Sequence, residues 1–324
     1  MNFKNVCRLL IAFSLAMTCG APWARAAEVK TLAIGDVAPI APDWPSFVAK
    51  AKGFYEKENI NPQITYVGNV ANTVQQMVGG SFGISVSTFD TAIRAIAKGA
   101  DAVMIGGLVV KYPYSVMSDG NIKTPADMKG KRVILPFQKD LLTFVWNQWL
   151  KSQGLDPKSI DQVYDGATPN RYAALVAHQV QAAVLSQPFD FRAAAEGYRK
   201  LLDIGAYGKD YGFLVILSKP SWLKEHGDEA RGYLKALSNA VEWLYDAKNH
   251  DEAVKILAEN TKLSPQFAAQ TYDYYINDVK PFSRKLAIPS GVVENTIKTL
   301  VELGDIKGSE VDAKKIIDAS YLPN

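Results

Sequence analysis

From Val29 onward the sequence alternates short apolar runs with stretches of helical periodicity, a rhythm that restricts the chain to an α/β fold with largely parallel sheets. Residues 31–35 read as a first strand. Trp44, Phe47, Val48 and Ala51 then fall at i, i+3, i+4 and i+7, one face of a helix that Gly53 ends. Residues 63–67 form a strand, 72–78 a helix closed by Gly79 and Gly80, and 82–86 another strand. Ser87 or Thr88 caps the helix running to Lys98, with Asp90 completing a short capping box, and residues 102–110 form a buried strand.

The same rhythm restarts after Ser115-Val116-Met117, so two similar units are expected rather than a solenoid. Thr124-Pro125-Ala126-Asp127 opens a short helix with a cap, a proline in the first turn and an early acid. Strands are expected at 131–135, 162–164, 182–185 and 201–204, and helices at 141–152, after Pro169 and after Pro188. Residues 213–217 form a strand leading out. From Pro220 to the end the pattern is helix only, with segments starting near Asp228, Asp251, Ser264 and Ser290.

Residues 1–26 carry the marks of a secretory signal peptide: Lys4 and Arg8, an apolar stretch at 9–17, and the small-x-small site Ala24-Arg25-Ala26. The apolar stretch is too short to span a bilayer, which takes about 20 residues. Lipoprotein processing at Cys19 is the poorer fit, because Met17 and Thr18 precede it. Cleavage after Ala26 removes 26 of 324 residues and leaves 298, a length suited to two domains. Both cysteines, Cys7 and Cys19, leave with the signal, which excludes a disulfide, a cysteine nucleophile and a thiolate metal site in the mature chain. Core burial must then hold the fold, and a hydrophobic content of 48% is ample for it. The signal also takes three of the 36 basic residues and no acid, so the remainder balances the 33 acidic ones. No basic run points to a nucleic-acid partner or an anionic membrane.

Reactive chemistry is not expected. His178, His226 and His250 are isolated and fit surface turns or helix ends. There is no P-loop, and Gly79-Gly80-Ser81-Phe82-Gly83 lacks the dinucleotide fingerprint. No catalytic residue, metal site or cofactor is nominated.

Five segments in order resemble the nitrate/sulfonate/taurine-type (NMT1/THI5-like) family of periplasmic solute-binding proteins, which also takes in thiamine-pyrimidine precursor binders. They are residues 47–60 with Gly53-Phe54-Tyr55-Glu56-Lys57-Glu58, residues 92–101 with Arg94-Ala95-Ile96-Ala97-Lys98-Gly99-Ala100-Asp101, residues 124–133, residues 179–188 and residues 195–199. The family often has Asp where Gly83 and Gln181 stand, and a Ser/Thr/Gly-rich loop where this chain reads Pro136-Phe137-Gln138-Lys139-Asp140. The resemblance implies a type 2, two-lobed binding-protein fold with a helical C-terminal segment. Lobe I comprises 27–115 plus 213–324 and lobe II 116–212, with crossovers near Tyr112-Pro113-Tyr114 and Tyr211-Gly212-Phe213. It also implies the exported component of an ABC importer, partnered by an inner-membrane permease and its ATPase, periplasmic and monomeric. An enzyme of pyrimidine metabolism on the same fold is the alternative, disfavoured by the missing cysteines. A sensory binding domain stays open.

Ligands of open α/β sheets sit beyond the carboxyl ends of the strands, where free N–H groups favour anions. The loops there nominate Asp36, Trp44, Ser87 and Thr88 in lobe I, and Tyr112 and Tyr211 at the crossovers. Lobe II nominates Phe137, Gln138 and Thr143 around a helix start, then Arg171, Gln187 and Phe189. Ser87 and Thr88 are equally readable as helix caps, Trp44 as core, and Tyr112 and Tyr211 as packed hinge residues. Arg171 is the candidate for pairing a carboxylate or sulfonate, since a guanidinium fork suits such groups, or else it makes a surface ion pair. Arg171→Ala or Thr88→Ala is expected to weaken binding and leave folding intact. The number of aromatic residues in these loops favours a small organic acid or an aromatic compound over a bare inorganic anion.

Overall fold

Ten strands form two five-stranded sheets in the computed structural model, which describes residues 29–208 and 210–323. The expected signal peptide lies outside the described residues. The first sheet holds β1 (Lys30–Asp36), β2 (Ile60–Tyr66), β3 (Ile84–Thr88), β4 (Val103–Val109) and β10 (Leu214–Ser218), in the order β2-β1-β3-β10-β4. The second holds β5 (Tyr114–Ser118), β6 (Arg132–Leu135), β7 (Asp161–Tyr164), β8 (Ala182–Ser186) and β9 (Arg199–Asp203), in the order β7-β6-β8-β5-β9. In each sheet one strand runs against the rest: β10 is antiparallel to β3 and β4, and β5 to β8 and β9. These are the two strands by which the chain enters one sheet after leaving the other.

Helices flank both sheets. In chain order they are α1 (Trp44–Ala51), α2 (Phe54–Lys57), α3 (Val70–Val78), α4 (Phe89–Ala97), α5 (Leu141–Ser152), α6 (Thr168–Val176), α7 (Phe189–Ala195), α8 (Ile204–Tyr207), α9 (Pro220–Leu244), α10 (His250–Thr261), α11 (Pro265–Tyr272) and α12 (Ser290–Glu302). Strands β3, β4, β5, β8 and β10 are buried along their whole length, which suits the largely apolar β4, β8 and β10. Most parallel strands lead into a helix, and at several of them a side chain caps its start. Asn69 Oδ1 accepts from the Ala71 and Asn72 N–H groups at α3, and Thr88 Oγ1 from Thr91 N–H at α4. Asp140 Oδ1 accepts from Leu142 N–H at α5, at 2.7 Å. The strand-to-helix turns therefore gather at the carboxyl ends of the parallel strands.

The crossovers pack on each other. Tyr112 and Tyr114, on the way from β4 into β5, lie 5.2 and 5.4 Å (ring centroids) from Phe213, on the way into β10. Gly83, where the family often has Asp, is fixed by packing, since a Cβ there would sit 2.5 Å from the Trp222 indole. Gln181 also has a structural load, its Oε1 accepting from Arg132 N–H at 3.0 Å.

Several expectations change. Asp90 does not complete a capping box at α4; it pairs one turn on with Arg94 at 2.5 Å. The strand expected over 201–204 ends at Asp203, whose carboxylate caps α8 instead. The helix expected near Asp228 begins at Pro220 and runs 25 residues, kinked at His226. The tail is not helix only: Ile317 bridges to Met104 and Phe282 to Val109, adding extended segments beside β4.

Candidate ligand site between the two sheets

The strand-to-helix turns of both sheets enclose a cavity of about 840 Å³, large enough for a small organic molecule. The first-sheet side contributes the 36–43 loop after β1, the turn at Asn69, Thr88 and Phe213, together with Thr261–Ser264 and Phe267 from α10 and α11. The second-sheet side contributes Tyr114, Phe137, Asp140, the start of α6, and the run from Ser186 to Phe189. Five aromatic rings (Tyr114, Phe137, Phe189, Phe213 and Phe267) stand on the wall. Three carboxyl groups (Asp36, Asp43, Asp140) face three cationic residues (Arg171, Arg192, Lys262) around it.

Six of the twelve nominated residues line this cavity: Asp36, Thr88, Phe137, Arg171, Gln187 and Phe189. Thr88 sits at the end of β3 and doubles as the α4 cap. Phe137 is half-exposed, its ring lying over Gly166, where a Cβ would come within 2.4 Å of Cζ. Phe189 opens α7 and, with Tyr172, carries the Arg192 guanidinium at 5.7 and 4.7 Å from the two rings.

Arg171 is in the right place with unexpected partners. It is 1% exposed, and its Nε donates to Val184 O at 2.6 Å. Its Nη1 donates to Asp165 O and Gly166 O at 2.8 and 2.9 Å, and its Nη2 to Thr168 Oγ1 at 2.9 Å. Four of its five N–H groups are thus taken up in tying the turn between β7 and α6 to β8, which leaves one for a ligand. Burial pushes its pKa down, opposed by the nearby Tyr114, Asp140 and Asp165, yet a guanidinium stays charged.

The other six nominees stand elsewhere. Trp44 is wholly buried, its Nε1 donating to Ala253 O at 3.2 Å and its ring meeting Tyr272 and Tyr275 edge-on, so it ties α1 to the C-terminal helices. Ser87 is buried and donates to Val70 O at 2.9 Å, on the opposite strand face from Thr88. Tyr112 is inside the crossover cluster. Tyr211 hydrogen-bonds Thr299 Oγ1 at 2.9 Å and packs on Phe144. Gln138 lines a second, smaller cavity with Asn147 and Glu302. Thr143 donates to Phe137 O at 2.8 Å and so fixes the loop bearing Phe137 without reaching the cavity.

Residues missed by sequence reading include Asp43, Tyr114, Phe213 and the 261–267 segment. The two rings lie two residues beyond the nominated Tyr112 and Tyr211, the same strand phase carried one step further. Asp43 had a signal: it and Asp36 are the only charges in an otherwise apolar loop. Against the expectation that the chain holds neither a G-x-S-x-G elbow nor an S-x-x-K, both letter patterns occur, at Gly79–Gly83 and at Ser221–Lys224. Ser81 follows a helix and precedes a strand, the reverse of a nucleophile elbow, and Ser221 is exposed in the first turn of α9. Neither lines the cavity.

Burial dominates the electrostatics. Asp36 is pushed up to about 7, opposed by hydrogen bonds from Val37 N–H and Asp43. Burial and the facing Asp36 charge drive Asp43 well above the carboxylate range. Asp140 is also raised to about 7, by burial and then by Asp90, against Leu142 N–H, Arg171 and Arg94. At the rim Lys139 Nζ reaches Asp305 Oδ1 at 2.9 Å, and Arg94 binds both Asp305 (2.9 Å) and Lys139 O (2.8 Å), joining the two sides of the cavity.

Residues 44–253 match the model of the family described as NMT1/THI5 like. The chain belongs to this family. Among curated relatives, the formylaminopyrimidine-binding protein of Halalkalibacterium halodurans is 22% identical over 227 residues, covering 66% of this chain and 65% of that protein. The chain spans less than two thirds of the length of the curated relatives it matches. Among solved structures, the alkanesulfonate-binding protein SsuA of Xanthomonas axonopodis pv. citri, bound to MOPS, superposes with a TM-score of 0.73 at 20% identity, covering 90% of this chain and 99% of that one. The periplasmic nitrate-binding protein NrtA of Synechocystis PCC 6803 gives 0.73 at 16% identity, covering 91% and 87%. The fold is that of periplasmic binding proteins, and no helix among the described residues is long and apolar enough to cross a membrane.

Proposed function

We propose that this chain is the exported substrate-binding component of an ABC importer. It captures a small organic solute between its lobes and delivers it to an inner-membrane permease and its ATPase. It works in the periplasm as a monomer after cleavage behind Ala26, without metal, cofactor or catalytic residue. Lobe I is 27–115 plus 213–324 and lobe II 116–212, and closure is a hinge motion at the two crossovers.

The observation that carries this reading is the cavity of about 840 Å³ walled by both sheets. A ligand favours the closed state only by touching both lobes, and every ligand filling this space does so. Of the anionic and aromatic classes, the aromatic one is better supported. Five rings line the site, while Arg171, the designated anion grip, gives most of its donors to carbonyl groups. Similarity to a pyrimidine binder and to a sulfonate binder holding MOPS is consistent with a molecule of that size.

The test is a thermal-shift screen of ligand-stripped protein with aliphatic sulfonates, nitrate, aromatic carboxylates, pyrimidines and flavins. A ligand at 100 times its Kd adds about 2.7 kcal/mol of stability. A shift with the compound recovered unchanged supports the reading. Consumption of the compound would show an enzyme, and a panel without any shift counts against a solute of these classes.

A further inference from the structure

One arginine on the cavity wall has no acid to pair with. Arg192 lies on α7, half-buried, and lines the space between the two sheets. Its guanidinium rests on the rings of Tyr172 and Phe189, 4.7 and 5.7 Å from their centroids. Helical spacing offers it Glu196, one turn along, as an ion-pair partner. Tyr172 takes that partner instead, its Oη donating to Glu196 Oε1 at 2.6 Å. Among the described residues Arg192 pairs with no carboxylate, whereas Arg94, Arg132 and Arg284 each do. Its polar contact is with the Tyr172 hydroxyl. A guanidinium stacked on rings uses its face and keeps in-plane N–H groups, a fork that fits the two oxygens of a carboxylate.

The first-sheet wall faces it with Lys262, an exposed residue that follows α10 in the left-handed conformation, at φ 60°. Among the described residues Lys262 also has no ion-pair partner. The elements bearing the two cations meet across the cleft, since α7 packs against α11, which begins just after Lys262. The acids of the wall do not cancel this charge. Asp36 and Asp43 hydrogen-bond each other, which two carboxyl groups do only by sharing a proton, so the pair carries at most one negative charge. With Asp140 the wall then holds at most two negative charges against the three positive ones of Arg171, Arg192 and Lys262. The cavity therefore has positive charge left over, and Arg171, with four of its N–H groups engaged, is the cation least free to use it.

Building on the solute-binding reading above, we propose that the site selects a flat aromatic acid, its carboxylate held by the Arg192 fork in lobe II and by Lys262 from lobe I, with its ring against Phe189. Arg192, and not Arg171, is then the residue that recognises the anion, and Arg171 shapes the turn beside it. Tyr172 has a positioning role: it draws Glu196 away and offers its ring as a platform, which keeps the guanidinium unpaired until the ligand arrives. A carboxylate that meets a cation from each lobe also drives closure, because only the closed state supplies both contacts.

Benzoate and benzamide share one shape and differ in charge, and they serve as probes in calorimetric titration of the full-length mature protein at neutral pH. Benzoate is expected to bind at least tenfold more tightly than benzamide, a comparison that needs no variant. Arg192→Gln, checked for folding by circular dichroism, removes that preference and leaves the benzamide affinity within about twofold of the parent, a split that a merely structural role would not produce. Lys262→Gln lowers the benzoate affinity by a smaller factor, about threefold. Benzamide binding as tightly as benzoate, a preference that survives in Arg192→Gln, or no benzoate binding at about 10 mM each overturns the proposal. A benzoate affinity indifferent to Lys262→Gln overturns the grip from both lobes. The solute-binding reading fails on a different result, the absence of any shift across the wider ligand panel.

Discussion

Arg171→Met separates the two roles a buried guanidinium can have in this site. The substitution keeps the chain length and apolar stem while removing four hydrogen bonds, three of them to the carbonyl oxygens of Val184, Asp165 and Gly166. Hydrogen bonds from a charged donor contribute about 1.5–3 kcal/mol each, but the four are not additive and desolvation of the buried cation offsets part of the total. Buried carbonyl groups left without a donor cost about 1–3 kcal/mol each, so after the offset a net loss of about 3–5 kcal/mol is expected. For a chain of about 300 residues each kcal/mol lowers Tm by roughly 2 °C, so a drop of about 6–10 °C is expected. Differential scanning calorimetry of ligand-free protein reads this directly. Arg171→Lys should fall nearly as far, because an ammonium cannot span the same acceptors. A Tm within 2 °C of the parent, together with lost ligand binding, would refute the bracing role and return Arg171 to a direct anion grip.

Three further outcomes follow from the same geometry. Gly166→Ala places a Cβ against the Phe137 ring and should dislodge it, weakening binding of flat ligands about fivefold with little change in Tm; unchanged affinity would mean that Phe137 is not a ligand wall. Asp305→Ala removes the rim contacts to Lys139 and Arg94; since Lys139 is largely exposed, the effect should stay within about 1 kcal/mol, roughly fivefold in affinity, through a faster off-rate in stopped-flow. The stability of ligand-free protein should decline as pH rises from about 4 to 7, because Asp36 and Asp140 bind protons up to about 7 when folded and lose them near 4 when unfolded. Asp36→Asn should flatten part of that decline in urea titrations, and an unaltered slope would contradict the raised carboxyl.

Much of the architecture was legible because it rests on local signals. The Thr124–Asp127 turn is held by Asp127, whose carboxylate accepts from the N–H groups of Lys123 and Thr124. The apolar strands at 102–110 and 182–185 fall within a residue or so of their observed bounds. The site was half legible, since position on a strand-to-helix loop is local but side-chain direction is not. Ser87 and Thr88 are adjacent and alternate across β3, so only one could face the cavity, and nothing local indicates which. Trp44 turned inward because Tyr272 and Tyr275, more than two hundred residues away, offer its ring an edge-on fit and Ala253 O takes its N–H. The contribution of Thr261–Phe267 to the wall is tertiary and has no signature in its own sequence. Arg171 shows the converse: its place was foreseeable from the loop, whereas its acceptors on β8 and the 165–168 turn exist only once the fold has formed.

The central claim is that a small organic solute is held, unaltered, between the two sheets. Calorimetric titration of a thermal-shift hit into the parent protein and into Phe189→Ala, with the compound then recovered and weighed by mass spectrometry, tests it most directly. One site per chain, at least tenfold weaker binding in the variant, and an unchanged ligand mass are predicted. An altered ligand mass, or equal affinity in both proteins, would contradict the account.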